Sequence, residues 1–394
     1  MDFQKKPEVL FVAGSGEYGS GECQFLDYLS FPGEKPFSAT LIFPSPGRLA
    51  DKAKNTGLSC RIIKSLDYLT EFRNLWKQPI AWIYNLSSFV KISSAIREKR
   101  AALVVSLSFV NWTGALAARQ EGVRHLWVIR EVLSSRSNWL NFFWGRWLAS
   151  RLANDLSVKI LLESSLAAEM FRRKRTREKA EVLPPAVDPA KFYGQLVEPD
   201  SGLQRTALAL VFSGPDLKRV REALKMVNEV LEGQEGNSAR IRRVFLVFPG
   251  LSSEKQENLK KRVSQKVSGL KFSLEFAAWD WLSANWQDFL TAVIFPGFDP
   301  LSRMVLEAGL AGVPVVVEKG ASSELVLPGN TGFVFDPGDY AALADSMKML
   351  IRNPEKVREI GSSAREHILN NYSLSPWKEK FERVISGILF SSES

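Results

Sequence analysis

The sequence predicts an α/β protein built from two doubly wound domains in tandem. Three observations carry this expectation. Short continuous apolar runs recur along the whole chain with amphipathic segments between them, the pattern of parallel strands covered on both faces. The pattern is broken once, at VLPPAVDPAKF (182–192), where three prolines disfavour helix and leave a stiff extended connector. A length of 394 residues suits two domains, at ~100–200 residues each, and 45% hydrophobic residues against 24% charged is enough to bury two cores.

The elements follow in order. EVLFVAG (8–14) reads as a buried strand, residues 21–30 as a helix, FSATLIF (37–43) as a strand and residues 47–56 as a helix. AALVVSL (101–107) is a strand and residues 112–121 a helix. HLWVI (125–129) and VKILL (158–162) are strands on either side of a long helical stretch. Beyond the prolines, ALALVFSG (207–214), RVFLVFPG (243–250), KFSLEF (271–276), TAVIFPG (291–297) and VPVVV (313–317) read as strands separated by helices. In such sheets ligands bind at the carboxyl ends of strands, where glycine-rich turns lead into helix N-termini. The cleft between the two domains is therefore the expected site.

Charge is distributed unevenly. Residues 1–190 hold 27 basic and 18 acidic side chains, whereas residues 191–394 hold 25 of each. The surplus in the first half points to an anionic partner there. Within it, residues 134–155 interleave Trp139, Phe142, Phe143, Trp144 and Trp147 with Arg136, Arg146 and Arg151, and FRRKRTREKA (171–180) adds six bases against one acid. Lys91, Arg97, Lys99 and Arg100 are also basic. Segments 134–152 and 171–179 read as a surface for an anionic membrane, or else as a core helix with solvated arginines and a solvated basic turn. No nucleic-acid-binding module is recognisable. No window reaches the ~18 apolar residues of a membrane span, and the N-terminus lacks the h-region of a signal peptide. Two cysteines, Cys23 and Cys60, give neither a disulfide framework nor a zinc pattern. Two histidines, His125 and His367, argue against His-based metal sites and a Ser-His-Asp hydrolase. A soluble cytoplasmic protein, peripheral on the membrane's inner face, is the expectation.

The most informative segment is PGFDPLSRMVLEAGLAGVPVVV (296–317). Asp299 is followed eight residues later by Glu307, with Pro300 restricting the chain and Ser302 placed to cap the next helix. Asp299 would lie near the N–H groups of Leu301, Ser302 and Arg303, where a helix dipole faces a diphosphate and carboxylates accept hydrogen bonds from sugar hydroxyls. On spacing alone, an ordinary strand–loop–helix with two solvated acids fits equally well. GSGEYGSGE (14–22) supplies a glycine turn under a helix N-terminus.

Segment 296–317 resembles the signature of the family-4 retaining glycosyltransferases of the GT-B fold, the glycosyl transferases group 1. There Glu, seven residues and a second Glu run into LEA-x-A-x-GVPVV; here Asp299 takes the first place and LEAGLAGVPVVV spans 306–317. PAVD (185–188) stands where the family's linker usually has NGVD. Residues 324–351 resemble the stretch after the signature through Gly329, Gly332, Pro337 and Asp339. The helix from Pro376 resembles the family's terminal helix, which crosses back to the first domain. The resemblance implies two Rossmann-like domains facing a cleft: 1–184 on the acceptor side, 185–372 binding a nucleotide sugar, and 373–394 returning to the first.

Residue by residue, the resemblance implies that Glu307 binds the donor ribose. Asp299 would touch the donor sugar hydroxyls and support charge at the reacting centre. Leu301, Ser302 and Arg303 replace the family's Phe-Gly-Leu, with Arg303 directed to phosphate or to solvent. The family's Gly-Arg turn and later Lys, which neutralise the leaving diphosphate, correspond to Gly214 and Pro215, with Lys218 or Arg219 to restore a cation, or both on a solvated helix start. Gly19, Ser20 and Gly21 match the first-domain glycine loop. Arg130, in WVIREV (127–132), either contacts donor phosphate or an anionic acceptor or forms a structural ion pair. Trp279 stacks on the nucleobase or lies in the core. Retention needs no histidine base if the leaving phosphate takes the acceptor proton. No metal or other cofactor is implied. The activity implied is transfer of a sugar from a nucleotide sugar to an acceptor hydroxyl, on a glycan or lipid-linked acceptor at the membrane face. Pro215, the shortened loop and Asp299 leave a non-catalytic GT-B protein that binds or regulates an enzyme as the alternative. An epimerase would need more acid–base residues than this chain offers.

Overall fold

The computed structural model describes residues 6–17, 20–66, 77–132, 145–171, 178–195, 205–232, 241–251, 253–267, 269–297 and 300–391. They fall into two compact units, Met1–Pro185 with Ser375–Ser394, and Ala186–Leu374.

The first unit runs β1 (Glu8–Val12), α1 (Ser20–Ser30), β2 (Ser38–Phe43), α2 (Arg48–Asn55), β3 (Ser59–Ile62), α3 (Lys77–Lys99), β4 (Ala101–Ser106), α4 (Thr113–Gln120), β5 (Arg124–Ile129), α5 (Gly145–Leu156), β6 (Lys159–Leu162), α6 (Ser165–Ala168) and β7 (Ala180–Val182). Its strands form one parallel sheet in the order β3-β2-β1-β4-β5-β6-β7. Leu10, Val12, Ile42 and Val104 pack with Ile92 and Ile96 of α3. Phe109, Trp112 and Trp127 form a second cluster, with Trp112 and Trp127 edge to face at 5.2 Å. Apolar runs buried on both sides are what a parallel sheet with helices on each face requires.

The second unit repeats the plan with β8 (Ala207–Phe212), α7 (Leu217–Glu232), β9 (Arg243–Val247), α8 (Ser253–Ser264), β10 (Ser273–Ala277), α9 (Trp279–Ala284), β11 (Phe289–Phe295), α10 (Ser302–Leu310), β12 (Val315–Glu318), β13 (Gly332–Phe335), α11 (Tyr340–Arg352) and α12 (Pro354–Asn371). Its parallel sheet is ordered β10-β9-β8-β11-β12-β13. Phe212 and Phe295 stack at 4.6 Å between neighbouring strands. In both sheets the order reverses at one place, between β1 and β4 and between β8 and β11, the position at which open α/β sheets bind their ligands.

The last helix, α13 (Leu374–Phe390), closes the first unit. Its Trp377 and Phe381 meet Phe25 and Tyr28 of α1 edge to face at 5.2–5.6 Å, and Tyr28 Oη donates to Glu382 at 3.0 Å.

Two local expectations change. The connector is not extended throughout: Val187 bridges to Ser373, but Pro189–Gln195 forms a 3-10 helix, started by Asp188 Oδ1 accepting from the Ala190 N–H at 3.0 Å. Ser302 does not cap α10. Leu301 occupies the cap position in the left-handed region, with φ at 55°, and makes no side-chain cap. Segment 134–152 lies outside the described residues up to 144, and α5 is described from Gly145. No described helix is long and apolar enough to cross a membrane.

Candidate functional site

In the second unit the site is built on the carboxyl ends of β8, β11 and β12. A Cβ on Gly297 would run into the Ser213 hydroxyl, so glycine lets the β8 and β11 ends approach closely. A Cβ on Gly214 would meet nothing within 4 Å, which leaves open space beside that backbone. α10 leaves β11 through Pro300 and the left-handed Leu301, a conformation that costs a bulky residue roughly 1–2 kcal/mol.

Glu307 is the centre of the site. Its carboxylate is 1% exposed and gathers three donors. Arg303 Nε donates to Oε1 at 2.6 Å, one helical turn back on α10. Trp279 Nε1 donates to Oε2 at 3.2 Å, and the Ser283 hydroxyl donates to the same oxygen. Both residues belong to α9, so the carboxylate ties α9 to α10. A carboxylate buried this deeply needs a countercharge and hydrogen bonds, and Arg303 supplies the charge.

Of the two directions the sequence left open for Arg303, phosphate or solvent, it does not take the solvent one; it is 7% exposed. The reason is the i, i+4 spacing, which puts residues 303 and 307 on one helix face. Trp279 is 5% exposed and turned by its N–H toward Glu307. Leu301 and Ser302 are buried at the start of α10.

Lys218 and Arg219 part company. Asp216 Oδ1 accepts from the N–H groups of Lys218 at 2.9 Å and Arg219 at 3.3 Å, so the first turn of α7 is capped by its own chain. The Lys218 side chain is 77% exposed and 3.9 Å from Glu222. Lys218 thus lies on the exposed start of α7, the second of the two places the sequence left open for it. Arg219 turns inward: Nη1 donates to the Pro296 carbonyl at 3.2 Å, Nη2 pairs with Glu318, and the guanidinium lies 5.2 Å from the Phe295 ring centroid. Burial raises the Glu318 carboxyl above the usual range, and Arg219 opposes that rise.

The first unit carries a second polar cluster at its switch point. Arg130 Nη1 lies 2.5 Å from Glu22 Oε2, and Glu22 Oε1 accepts from the Gly14 N–H at 3.2 Å. A Cβ on Gly21 would strike the Arg130 guanidinium, so that position must be glycine for Arg130 to lie against the start of α1. Glu131 accepts from the Ser108 hydroxyl and from the Phe109 N–H at 3.1 Å. Burial pushes the Glu131 carboxyl up, against the pull of Arg130 and these donors. The structure thus gives Arg130 its ion-pair partner.

Asp299 and Gly19 lie outside the described residues, and Ser20 is described only as the first residue of α1. Segment 171–179 is described at residues 171, 178 and 179 alone. The sequence reading passed over Glu22, Ser283 and Glu318. Glu22 sits in the glycine-rich run and Glu318 ends the VPVVV strand, so both had a positional signal; Ser283 had none.

Residues 217–367 match the family described as glycosyl transferases group 1. Among curated proteins, the chain is similar to the capsular polysaccharide biosynthesis glycosyltransferase CapM of Staphylococcus aureus, 32% identical over 110 residues, which is 26% of this chain and 28% of CapM. It is also similar to a GDP-mannose-dependent alpha-(1-6)-phosphatidylinositol monomannoside mannosyltransferase of Mycolicibacterium smegmatis, 32% identical over 88 residues, covering 22% of this chain and 23% of that protein. The matched stretches thus span about a quarter of these relatives. Among solved structures, HepE of Anabaena in complex with UDP and glucose superposes with a TM-score of 0.73 at 18% identity, over 96% of this chain and 99% of HepE. Sucrose-phosphate synthase of Thermosynechococcus elongatus gives 0.66 at 14% identity, over 98% and 100%. The fold is GT-B, and the signature region resembles that of the group 1 glycosyltransferases.

Proposed function

We propose that this protein is a retaining glycosyltransferase. It moves a sugar from a nucleotide-sugar donor to an acceptor hydroxyl, on a glycan or lipid-linked sugar presented at a membrane face. One observation carries the reading: the buried Glu307 carboxylate, with its Arg303 and Trp279 donors, stands in the motif that resembles the donor signature, at the carboxyl edge of β8, β11 and β12.

In this reading the donor lies along that edge, with its diphosphate beside Gly214. A carboxylate offers about four acceptor positions. Three are taken at Glu307, and the fourth receives a ribose hydroxyl. Arg219 and Arg303 face the diphosphate, whose charge grows as the bond to the anomeric carbon breaks. Their guanidinium groups are pre-oriented by Glu318 and Glu307, the arrangement that stabilises developing charge without reorganisation. The departing phosphate oxygen takes the acceptor proton, so no histidine base is used. Asp299 keeps the role toward the donor sugar, and the cations serve the diphosphate without a metal. Arg130 and Glu22 hold the wall of the first unit on the acceptor side. CapM, named for capsular polysaccharide biosynthesis, and the phosphatidylinositol mannoside enzyme motivate the acceptor class.

A second reading, a non-catalytic GT-B protein, is favoured by the Asp216 cap and the solvated Lys218. A screen of nucleotide sugars by thermal shift and slow hydrolysis separates the two. Transfer or hydrolysis of one nucleotide sugar, lost in Glu307→Gln, supports the enzyme. A thermal shift with UDP or GDP and no turnover of any donor favours the second reading. No shift with either nucleotide removes donor binding itself.

A further inference from the structure

We propose that the outer face of α3 docks on the headgroup layer of an anionic lipid bilayer. This inference rests on the membrane-face acceptor in the proposed function, and it names a surface apart from segments 134–152 and 171–179.

Five large apolar side chains of α3 stand in water: Ile83 is 76% exposed, Leu86 65%, Val90 56%, Ile80 51% and Tyr84 49%. Steps of three, four and seven residues place them on one stripe, about 15 Å long from Ile80 to Val90. The helix cannot roll to hide them. Its opposite face is buried through Ala81, Ile92, Ala95 and Ile96. Asn85 fixes the rotation, accepting from the Leu66 N–H and donating to the Leu66 carbonyl, each at 2.7 Å, and Ser88 donates to the Lys64 carbonyl. Monomeric proteins scatter exposed apolar residues singly, so a fixed contiguous stripe marks an interaction surface.

The charge around the stripe selects the partner. Residues 77–100 contain Lys77, Lys91, Arg97, Lys99 and Arg100 against one acid, Glu98, which pairs with Arg61, while Arg97 pairs with Glu121. Lys91 is exposed one helical turn from Ser87 and two from Tyr84, and Lys99 and Arg100 follow at the helix end. The first unit holds 30 basic and 20 acidic side chains, the second 22 and 23. An apolar stripe bordered by bases is what a headgroup layer of anionic lipid accepts: the apolar side chains enter at the acyl boundary and the bases stay at the phosphates. Pairing of this face with a second copy would set the same bases against one another.

The test is flotation of the full chain with vesicles of phosphatidylcholine alone and of phosphatidylcholine with phosphatidylglycerol. The protein is expected to float with the anionic vesicles only. Ile83→Asp with Leu86→Asp should lower the bound fraction roughly tenfold or more, and Lys91→Glu should lower it less. Leu369→Ser, at an apolar side chain 40% exposed in the second unit, should change nothing. If the aspartate pair lowers the melting temperature, Ile83→Ser with Leu86→Ser gives the same reading. The proposal is overturned if the wild type does not float, or if the folded double variant floats as well as the wild type. It is also overturned if the wild type is a dimer that the double variant dissociates without changing flotation. UDP thermal shift on the same protein stays independent: loss of flotation leaves the donor site standing, and absence of a UDP shift leaves the docking face standing.

Discussion

Glu307 and Arg303 show how one substitution rewrites a site. An arginine four residues before a buried carboxylate is captured by it, and that pair then becomes part of what holds α9 to α10. Arg303→Leu leaves the carboxylate without its cation, which should destabilise the protein by about 3–5 kcal/mol. Adding Glu307→Gln removes the uncompensated charge and should recover more than half of that loss, a coupling that melting temperatures of the four proteins in a double-mutant cycle would read. Both variants should lose the UDP shift. His125 is a second residue whose surroundings fix its chemistry. It is 1% exposed, its ring nitrogens lie 2.9 Å from the Ser106 and Ser157 hydroxyls, and burial holds its pKa down at about 3. The folded value lies below that of the unfolded chain, so the unfolded chain binds the extra proton first. Stability is present above the unfolded value, near 6.5, and falls as pH drops toward 3, by about 1.4 kcal/mol per unit. His125→Asn should flatten the loss of melting temperature between pH 7 and pH 5 relative to the wild type.

At the scale of elements, the strands and helices that the sequence hides are the ones with unusual surroundings. β3 and β7 are the edges of the first sheet and β13 is an edge of the second. An edge strand is not buried on both faces, so SCRI and AEV carry no continuous apolar run, whereas the edge strand β10 showed itself through the phenylalanines of KFSLEF. α3 was illegible for the opposite reason. Its outer stripe is apolar as well as its inner face, so the contrast that marks a surface helix is missing. The same departure that hides the helix from periodicity is what makes its face a docking surface. The motif stretch 296–317 was legible in position, yet the partners of its charges were not, because Trp279 and Ser283 arrive from another helix. α13 was legible only through its resemblance to the family's terminal helix, and the rings by which it docks come from the structure. Phe381 is fully buried between Phe25, Tyr28 and Trp377. Phe381→Ala should cost about 3–5 kcal/mol. Hydrogen exchange should quicken in α1 and β1 and stay unchanged in β8 and β11; equal quickening in both units would contradict the assignment of this helix to the first unit's core.

Across the whole molecule, charge is divided by unit while the local cations of the candidate site are not drawn from that surplus. The second unit is near neutral, and its Arg219 and Arg303 are each held by a buried carboxylate. The surplus of the first unit is spread over exposed lysines and arginines such as Lys64, Lys91 and Arg100. Salt distinguishes these two arrangements. Exposed charges acting over a distance are screened as the Debye length falls below ~10 Å near 0.1 M ionic strength, whereas buried contacts are screened far less. Raising salt from about 0.05 M to about 0.3 M should therefore weaken binding to anionic vesicles by roughly tenfold or more, since each surface base contributes on the order of 1 kcal/mol through the screened potential. UDP affinity, measured by calorimetry over the same range, should change by no more than about threefold, because the groups that meet the diphosphate are few and enclosed. An equal loss in both measurements would mean that nucleotide and membrane are drawn by one diffuse field, and that the near-neutral unit does not hold the donor through Arg219 and Arg303.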